Sequence, residues 1–552
     1  HSDFKRVIEE DFYYVDKSLL IKELIDSGSL ITILPRPRRF GKTLNLFMLK
    51  YFFEKTSGQR ENLFKNLAIE ASGAEYKTHQ GRYPVIFLSF KDVKSSTWES
   101  CMEDLQNVIR KIVSTHSYLL KEDTLSRWEK ENLENLLAYN SAGDYKNSLY
   151  FLSSCLNKVH NEKVVILIDE YDVPIQQGYT GKFYDKSVEF IKTFLSGALK
   201  DNPFLERAVL TGILRVSKES IFSDLNNRDV CTLLSHSYAD KFGLLEEEVR
   251  QLLEYFGIGP EMDHVRSWYN GYICGETELY NPWSIINYAA KWRDGFTSYW
   301  INSSSNTLIK QMMKRAGQRV KDNLKSLMEN KPITKRISEH VVFPEIESDS
   351  DHLFSFLLFS GYLKPVKEIR RGEEIFYEVV IPNAEVRLLY KHIITSWFSE
   401  TIDNDKMDLM LSALTSGDID TFAEVFTYYL ETSVSYFNLG EDDAERVYQA
   451  FTLGLLVYLS GDYTVTSEEP AGYGRADLML IPHDKTKRGV IFEFKKASKV
   501  KKQTLEKAAE AAKKQMIDKR YRSRMEAHGV SLITELAIGF KGKECLILEV
   551  DG

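Results

Sequence analysis

Cysteine is scarce and scattered. Five occur in 552 residues, namely Cys101, Cys155, Cys231, Cys274 and Cys545, an odd number with no C-x-x-C spacing. That usage excludes a disulfide framework and a zinc ribbon, and it points to a reducing compartment. Long hydrophobic runs are lacking too: none nears the roughly 18 residues a membrane-spanning helix requires. The N-terminal HSDFKRVIEEDFYYVDKSLL has no apolar core of a secretory signal. The expectation is therefore a cytoplasmic protein with no membrane partner. There is no excess of positive charge, since the formal net charge is −8 and the pI about 5.9. Any nucleic-acid contact must then use a local basic patch. Internal repeats and low-complexity linkers are absent as well.

What is present is ordinary globular material. Hydrophobic residues make up 43% and charged residues 28% of the chain, which excludes a disordered or collagen-like protein. At about 150 residues per domain the length suggests three or four domains, with apolar surface for more than one core. Residues 1–235 alternate strand and helix: LITIL (30–34), PVIFLSF (84–90), KVVILIDEYD (163–172) and RAVLTGIL (207–214) are apolar strands separated by helical patterns. That alternation predicts a mostly parallel α/β sheet. Residues 236–400 read as mainly helical, with an aromatic and Asn-rich centre, and SFLLFSGYLKPV followed by EIFYEVVIP reads as a helix feeding a hairpin. Residues 401–552 read as a helical stretch and then a compact α/β unit.

LPRPRRFGKTLN (34–45) joins the end of the first strand to a helix through Gly41-Lys42-Thr43. This is the layout of a phosphate cradle. Backbone N–H groups at the helix N-terminus face the anion, Lys42 reaches the β- and γ-phosphates, and the Thr43 hydroxyl takes Mg2+. The usual pattern begins with glycine, and here Arg36 followed by Pro37 stands at that place. KVVILIDEYD supplies the complementary acidic strand end. Asp169 would hold Mg2+ through water, and Glu170 would orient or activate the attacking water. In LTGILRVSKESIFSDLNN (210–227), Thr211 would sense the γ-phosphate and Arg215 would act as an arginine finger or sensor.

The second constellation lies near the end. GYGRADLMLIP (472–482) carries Asp477 on one strand, and RGVIFEFKKA (488–497) carries Glu493 and Lys495 on the next. Alternate side chains of a strand share a face. Glu493 and Lys495 therefore point together with Ile491, while Val490, Phe492 and Phe494 point into a core. Two carboxylates bind Mg2+, and a lysine orients water and steadies the scissile phosphate. This is the PD-(D/E)XK nuclease pattern. The following stretch, 501–521, reads as a helix laying Ala508, Ala511, Ala512 and Gln515 against the sheet. Residues 485–525 hold 15 Lys and Arg against 4 Asp and Glu, a local basic stripe.

FYYVDKS (12–18), PRPRRFGKT (35–43), LIDEYDVPI (167–175), TGILRVSKESIFSDLNN (211–227), WYNGY (268–272), YNPWSIINY (280–288) and YWINSSSN (299–306) together resemble the bacterial AAA-ATPase-like family. Its members typically carry a PD-(D/E)XK nuclease-like domain at the C-terminus. The family's phosphate loop also reads R-P-R-R-F-G-K-T, so the resemblance makes Arg36 and Pro37 normal at their positions. It implies ATP binding without establishing turnover. It also supports Glu445, on the helical run DAERVYQAFTLGLLVYL (443–459), as a further metal carboxylate, and it places Gln515 near the nuclease centre. The three aromatic segments are hallmarks of the family with no agreed role. Read by themselves, they suit an aromatic core with Asn-capped turns better than a base-stacking surface.

The expected architecture is an α/β multidomain chain: a P-loop NTPase parallel α/β sheet (1–235), a helical middle region (236–400) and a C-terminal restriction-endonuclease-like α/β domain (401–552). The nucleotide-binding set is Arg38, Arg39, Gly41, Lys42, Thr43, Asp169 and Thr211. The catalytic set is Glu170, Arg215, Asp477, Glu493, Lys495 and Gln515, and the metal set is Thr43, Asp169, Glu445, Asp477 and Glu493. ATP and Mg2+ are the expected cofactors, with Mn2+ as a substitute at the nuclease site. DNA is the expected partner, with RNA or a protein as alternatives, and the sequence sets no oligomeric state. Two rival readings are a nucleotide switch whose nuclease-like domain only binds, and an ATP-driven protein remodeller.

Overall fold

The computed structural model describes residues 1–56, 61–138, 143–214, 227–259, 262–300, 307–314, 318–328, 330–340, 342–346, 349–396, 404–433, 452, 455–456, 459, 462–471, 474–497, 503–541 and 544–550. The chain forms two compact units, residues 1–316 with 332–386, and residues 317–331 with 387–552.

The first unit is built on a parallel sheet. Its strands are β1 (Ile31–Pro35), β2 (Val85–Ser89), β3 (Val164–Asp169), β4 (Leu205–Gly212) and β5 (Arg228–Val230), in the spatial order β2-β3-β4-β1-β5. β1 and β3 are buried along their whole length. A parallel sheet covered on both faces requires this, and it is why these strands read as continuous apolar runs. Helices α1 (Lys42–Phe53), α2 (Trp98–Thr115), α3 (Ser148–His160), α4 (Val173–Thr180) and α5 (Tyr184–Leu199) make the connections. Since β4 lies between β1 and β3, the segments that follow these three strands emerge side by side at the C-terminal end of the sheet. In register, Leu34 faces Thr211 and Pro35 faces Gly212.

The same unit continues through α6 (Glu246–Tyr255), α7 (Met262–Tyr269), the small hairpin β6 (Tyr272–Cys274) and β7 (Thr277–Leu279), and α8 (Pro282–Ala290). It closes with an antiparallel sheet in the order β8-β10-β9, made of β8 (Ile333–Arg336), β9 (Lys364–Arg371) and β10 (Glu374–Val380). Helix α9 (Ser350–Phe359) feeds β9 and β10, as the sequence pattern predicted. The mainly helical reading of 236–340 needs correction at β6–β7, whose three-residue strands are too short to carry a periodic signal. The aromatic segments supply core and caps. Tyr269, Tyr280, Tyr288 and Trp300 are all less than 2% or about 2% exposed, and Asn281 caps α8 by accepting from the Trp283 and Ser284 N–H groups. The buried Glu385 ties two of these segments together, accepting from Ser284 Oγ at 2.7 Å and from Trp300 N–H at 2.6 Å.

The second unit holds a mixed sheet in the order β11-β12-β13-β14-β15: β11 (Tyr463–Ala471), β12 (Gly474–Pro482), β13 (Gly489–Lys496), β14 (Ile533–Lys541) and β15 (Glu544–Glu549). Only the β13–β14 pair is parallel among these strands. A parallel pair needs a crossover, here α12 (Leu505–Lys519) and α13 (Arg522–Ala527). On one face Val490, Phe492 and Phe494 share a core with Met410 and Leu414 of the helix α10 (Asn404–Ser416) and with Phe422 and Phe426 of α11 (Ile419–Ser433). On the other, Ile491 packs with Ala512, Met516 and Met525 of the crossover. The predicted helix stripe is rotated slightly. Ala508, Ala509, Ala512 and Met516 are buried, whereas Ala511 is exposed. The cause is the close passage of α12 over Gly539 of β14, where a Cβ would lie 2.7 Å from Ala509 N and 2.8 Å from Leu505 O.

Candidate nucleotide and nuclease sites

The turn after β1 is shaped by three arginines that point in different directions. Arg36 turns inward and is 0% exposed. Its Nη1 donates to Pro35 O at 2.9 Å and Cys231 O at 2.6 Å, and its Nη2 to Tyr238 O at 3.2 Å. The guanidinium also lies over the Phe242 ring at 5.2 Å. A side chain anchored in this way explains how the loop dispenses with its usual first glycine. Arg38 is half-buried and donates to Gln176 Oε1 at 3.2 Å. Arg39 is exposed, in a left-handed conformation (φ 68), and stacks on Trp283 at 4.2 Å. Gly41, at φ 83, starts α1, a conformation that glycine takes without strain.

Lys42 is buried, and its ammonium donates to Arg36 O and Pro37 O, each at 2.9 Å. Burial lowers its pKa, and Glu170, Asp169 and Asp172 partly offset that effect. Asp169, 0% exposed at the end of β3, collects hydroxyls from three neighbouring segments. It accepts from Thr43 Oγ1 at 2.7 Å, Thr211 Oγ1 at 2.8 Å and Ser89 Oγ at 3.3 Å. Glu170 has a left-handed backbone (φ 52), which costs a non-glycine residue roughly 1 kcal/mol. Burial raises its carboxyl pKa; Lys42 opposes the shift, while Asp169 and Asp172 add to it. Asp172 Oδ2 accepts from Ile213 N–H at 2.9 Å and Leu214 N–H at 3.2 Å, and Tyr171 OH donates to Leu214 O. The acidic turn thus holds the segment after β4. Arg215 lies outside the described residues.

Sequence reasoning missed Ser89, Asp172 and Gln176. Ser89 had a readable signal, because it ends the apolar strand β2 and sits in register with Asp169. It also missed an apolar cavity of about 440 Å³ bordering Gly41 and Leu44, lined by Tyr13, Val15, Leu244 and Ile286. FYYVDKS is anchored nearby, where Lys17 Nζ meets Glu248 at 2.6 Å and donates to Asp240 O at 2.9 Å.

In the second unit β12 and β13 bring three predicted residues together. Asp477 Oδ2 accepts from Phe494 N–H at 2.7 Å. Glu493 is 0% exposed, and its Oε1 lies 3.0 Å from Lys495 Nζ. Gln515 of α12 donates from Nε2 to Tyr521 OH at 2.9 Å. Tyr521 is itself buried, close enough to feel the charges of Glu493, Asp477 and Lys495. An ion pair with its carboxylate fully buried differs from the solvated cross-strand pair that an E-x-K strand also permits. Glu445 lies outside the described residues. Among the described residues no group of three His, Cys, Asp or Glu side chains is arranged to hold a metal.

Comparison with known proteins matches these two regions. Residues 1–222 match the family model described as "Predicted AAA-ATPase", and residues 443–550 match that of the PD-(D/E)XK nuclease superfamily. An AAA-ATPase-like region precedes a PD-(D/E)XK nuclease region. The chain is also 27% identical over 385 residues to an "Uncharacterized protein in vnfD 5'region" of Azotobacter chroococcum mcd 1. That match covers 68% of this chain and 65% of the relative's length. The turn after β1, the end of β3 and Thr211 lie within the first matched span. Asp477, Glu493, Lys495 and Gln515 lie within the second. Among the described residues no helix is long and apolar enough to cross a membrane.

Proposed function

We propose that the AAA-ATPase-like region binds and hydrolyses ATP, and that nucleotide binding or hydrolysis controls Mg2+-dependent phosphodiester cleavage of DNA by the nuclease region. The division of labour follows 1–235 for the nucleotide, 236–400 for its cover and 401–552 for cleavage. One observation carries the nucleotide half: Asp169 takes the hydroxyls of Thr43 and Thr211 on its two oxygens, at 2.7 and 2.8 Å, beside the buried Lys42. The loop, the acidic strand and the next strand end are thereby joined at one point. Lys42 exchanges the carbonyls of Arg36 and Pro37 for the β- and γ-phosphate oxygens. Gly41 and the first N–H groups of α1 cradle the phosphates, with Arg38 and Arg39 on either flank. Glu170 orients the attacking water, while Thr211 and Arg215 sense the γ-phosphate. The apolar cavity beside Gly41 receives the base.

A hydroxyl facing a carboxylate is a donor set that a hard cation accepts, so Thr43 and Asp169 are the residues that would hold Mg2+ with ATP. At the nuclease centre Asp477 and Glu493, with Glu445, would hold Mg2+ or Mn2+. A bound divalent cation lowers the pKa of water and neutralises phosphate charge. Lys495 positions the water and the scissile phosphate, and Gln515 holds Tyr521 beside them. The basic stripe at 485–525 supplies the DNA backbone contact.

The test is cleavage of supercoiled plasmid and of single-stranded DNA and RNA with Mg2+ or Mn2+, with and without ATP, with Lys495→Ala as the control. The expected result is metal-dependent cutting of DNA, lost in the variant and altered by ATP. Equal cutting by wild type and Lys495→Ala removes the nuclease assignment. ATP binding without cutting under any condition moves the reading to a nucleotide switch. ATP turnover stimulated by a protein and indifferent to DNA moves it to a remodeller.

A further inference from the structure

Arg38 and Arg39 are neighbours in sequence with opposite surroundings. The left-handed Arg39 is held against Trp283, at 4.2 Å. Arg38 faces α4, the helix that begins three residues after Glu170, and its Nη2 meets Gln176 Oε1 at 3.2 Å. Gln176 is 8% exposed, so its amide is well fixed. Among the described residues that bond is Arg38's one hydrogen bond, and a guanidinium has five N–H donors. Arg38, Gln176 and Ile213 border a cavity of about 370 Å³. Ile213 lies two residues beyond Thr211, on the strand end whose hydroxyl meets Asp169. The charge of Arg38 also acts on both Lys42 and Glu170. A cation with spare donors, a fixed orienting partner and open space therefore sits on the side of the loop where Glu170 lies.

We propose that Arg38, oriented by Gln176, supplies from within its own chain the positive charge that neutralises the γ-phosphoryl group during ATP hydrolysis. This rests on the nucleotide reading above. In the step, the water oxygen bonds to the γ-phosphorus as its bond to the β,γ-bridging oxygen breaks. The electron pair of the broken bond stays on ADP. Glu170 takes the water proton and releases it to solvent, and Arg38 stays protonated throughout. Charge builds on the equatorial oxygens of the transferring group, where a guanidinium lowers the barrier more than it aids ground-state binding. Gln176 is a positioning residue. It comes from the helix attached to Glu170, so the water and the cation share one support.

The full chain is assayed for ATP turnover, and for nucleotide affinity with a fluorescent ATP analogue. Arg38→Ala is expected to lower kcat about 10³-fold, in line with arginine fingers generally, with analogue affinity within about 3-fold of wild type. Arg38→Lys, which keeps the charge without the fork, is expected to lose about 10-fold in kcat at unchanged affinity. It serves if the alanine variant fails to fold. Gln176→Leu is expected to lower kcat about 10-fold with KM unchanged, and to cost nothing further on top of Arg38→Ala. Mixing Arg38→Ala chains with Lys42→Met chains, which keep Arg38 but lack the phosphate-loop lysine, should restore no turnover. Three results with the variants overturn the inference: wild-type turnover by Arg38→Ala, a loss lying wholly in affinity, or turnover restored in the mixture, which shows an arginine acting between chains. Wild-type binding without turnover also overturns it while leaving ATP binding in place. Absence of nucleotide binding removes both readings.

Discussion

Replacing Arg36 by glycine restores the residue that most phosphate loops carry at this place, yet the structure predicts damage. The wild-type guanidinium is fully buried and serves Pro35 O, Cys231 O and Tyr238 O. In Arg36→Gly three buried carbonyls lose this donor, Tyr238 O keeping only the long bond from Lys241 N–H at 3.4 Å, and each group left orphaned costs about 1–3 kcal/mol. The glycine adds roughly 1 kcal/mol of backbone entropy to be lost on folding. Against this, the variant no longer buries a charge that has no ion-pair carboxylate among the described residues, which returns several kcal/mol. The balance is a loss of about 3 kcal/mol, or roughly 10²-fold in the folded-to-unfolded ratio. Arg36→Lys keeps a cation but cannot reach three carbonyls with a fork, and should lose about 2 kcal/mol.

The assay is denaturant unfolding followed by tyrosine and tryptophan fluorescence, paired with titration of a fluorescent ATP analogue. Since Arg36 O and Pro37 O are the carbonyls that hold Lys42, a loosened turn should also weaken nucleotide affinity about 10-fold. The reasoning is refuted if Arg36→Gly unfolds at the wild-type midpoint and binds nucleotide equally well. The arginine would then be a passenger, and the loop would be held by its backbone alone, through the Arg36 N–H to Gly212 O bond of 3.0 Å.

Three other outcomes follow from the same structure. Lys42→Met should remove nucleotide binding while leaving the unliganded fold within about 2 kcal/mol of wild type, because deleting a charge that burial already disfavours offsets the donors lost to Arg36 O and Pro37 O; loss of both binding and the fold would count against it. Lys514 and Lys519 are exposed on α12, and Lys514→Gln and Lys519→Gln should each reduce the slope of log affinity for DNA against log salt by about 1, with unchanged slopes placing the DNA elsewhere. Burial depresses the His116 pKa from 6.5 to about 4, with His160 and Lys50 adding to the effect. The folded state therefore binds fewer protons than the unfolded chain between those values, and stability should fall by up to ~3 kcal/mol as pH drops from about 6.5 to 4. His116→Gln should flatten that part of the pH–stability curve.

The elements that sequence analysis recovered are those whose physics is local. VVILID and ITILP are fully buried strands, so each residue carries the signal, and the polar residues at their ends mark where the sheet edge begins. Glu493 and Lys495 were readable because a strand's alternation fixes which side chains share a face. What stayed hidden depends on partners far along the chain. Arg36 faces inward only because Cys231 and Tyr238, about 200 residues later, offer carbonyls there. Gln176 gains a role only from Arg38, across 138 positions. The hairpin β6–β7 and the edge strand β5 have three residues each, too few for a period. Ala511 was assigned to the wrong side of its helix because small residues alone do not say which of two adjacent stripes passes over Gly539.

The run Arg36, Arg38 and Arg39 argues that a loop's function lies in the directions of its side chains as much as in its motif. A glycine at position 36 would let the turn form without help from elsewhere. An arginine makes the turn depend on the segment from Cys231 to Phe242, and so on the part of the unit that also lines the cavity beside Gly41. Arg39 makes a second such link, through Trp283 at the start of α8. Arg38 turns the other way, toward the helix that carries Glu170's continuation. A bound triphosphate would press on a loop fastened at two points to the cover and at one to the acidic turn. Movement of the cover should then track nucleotide state. Trp283 fluorescence, quenched or released as Arg39 shifts, is the direct readout: no change in its emission on saturation with ATP would show that the cover and the loop are mechanically separate.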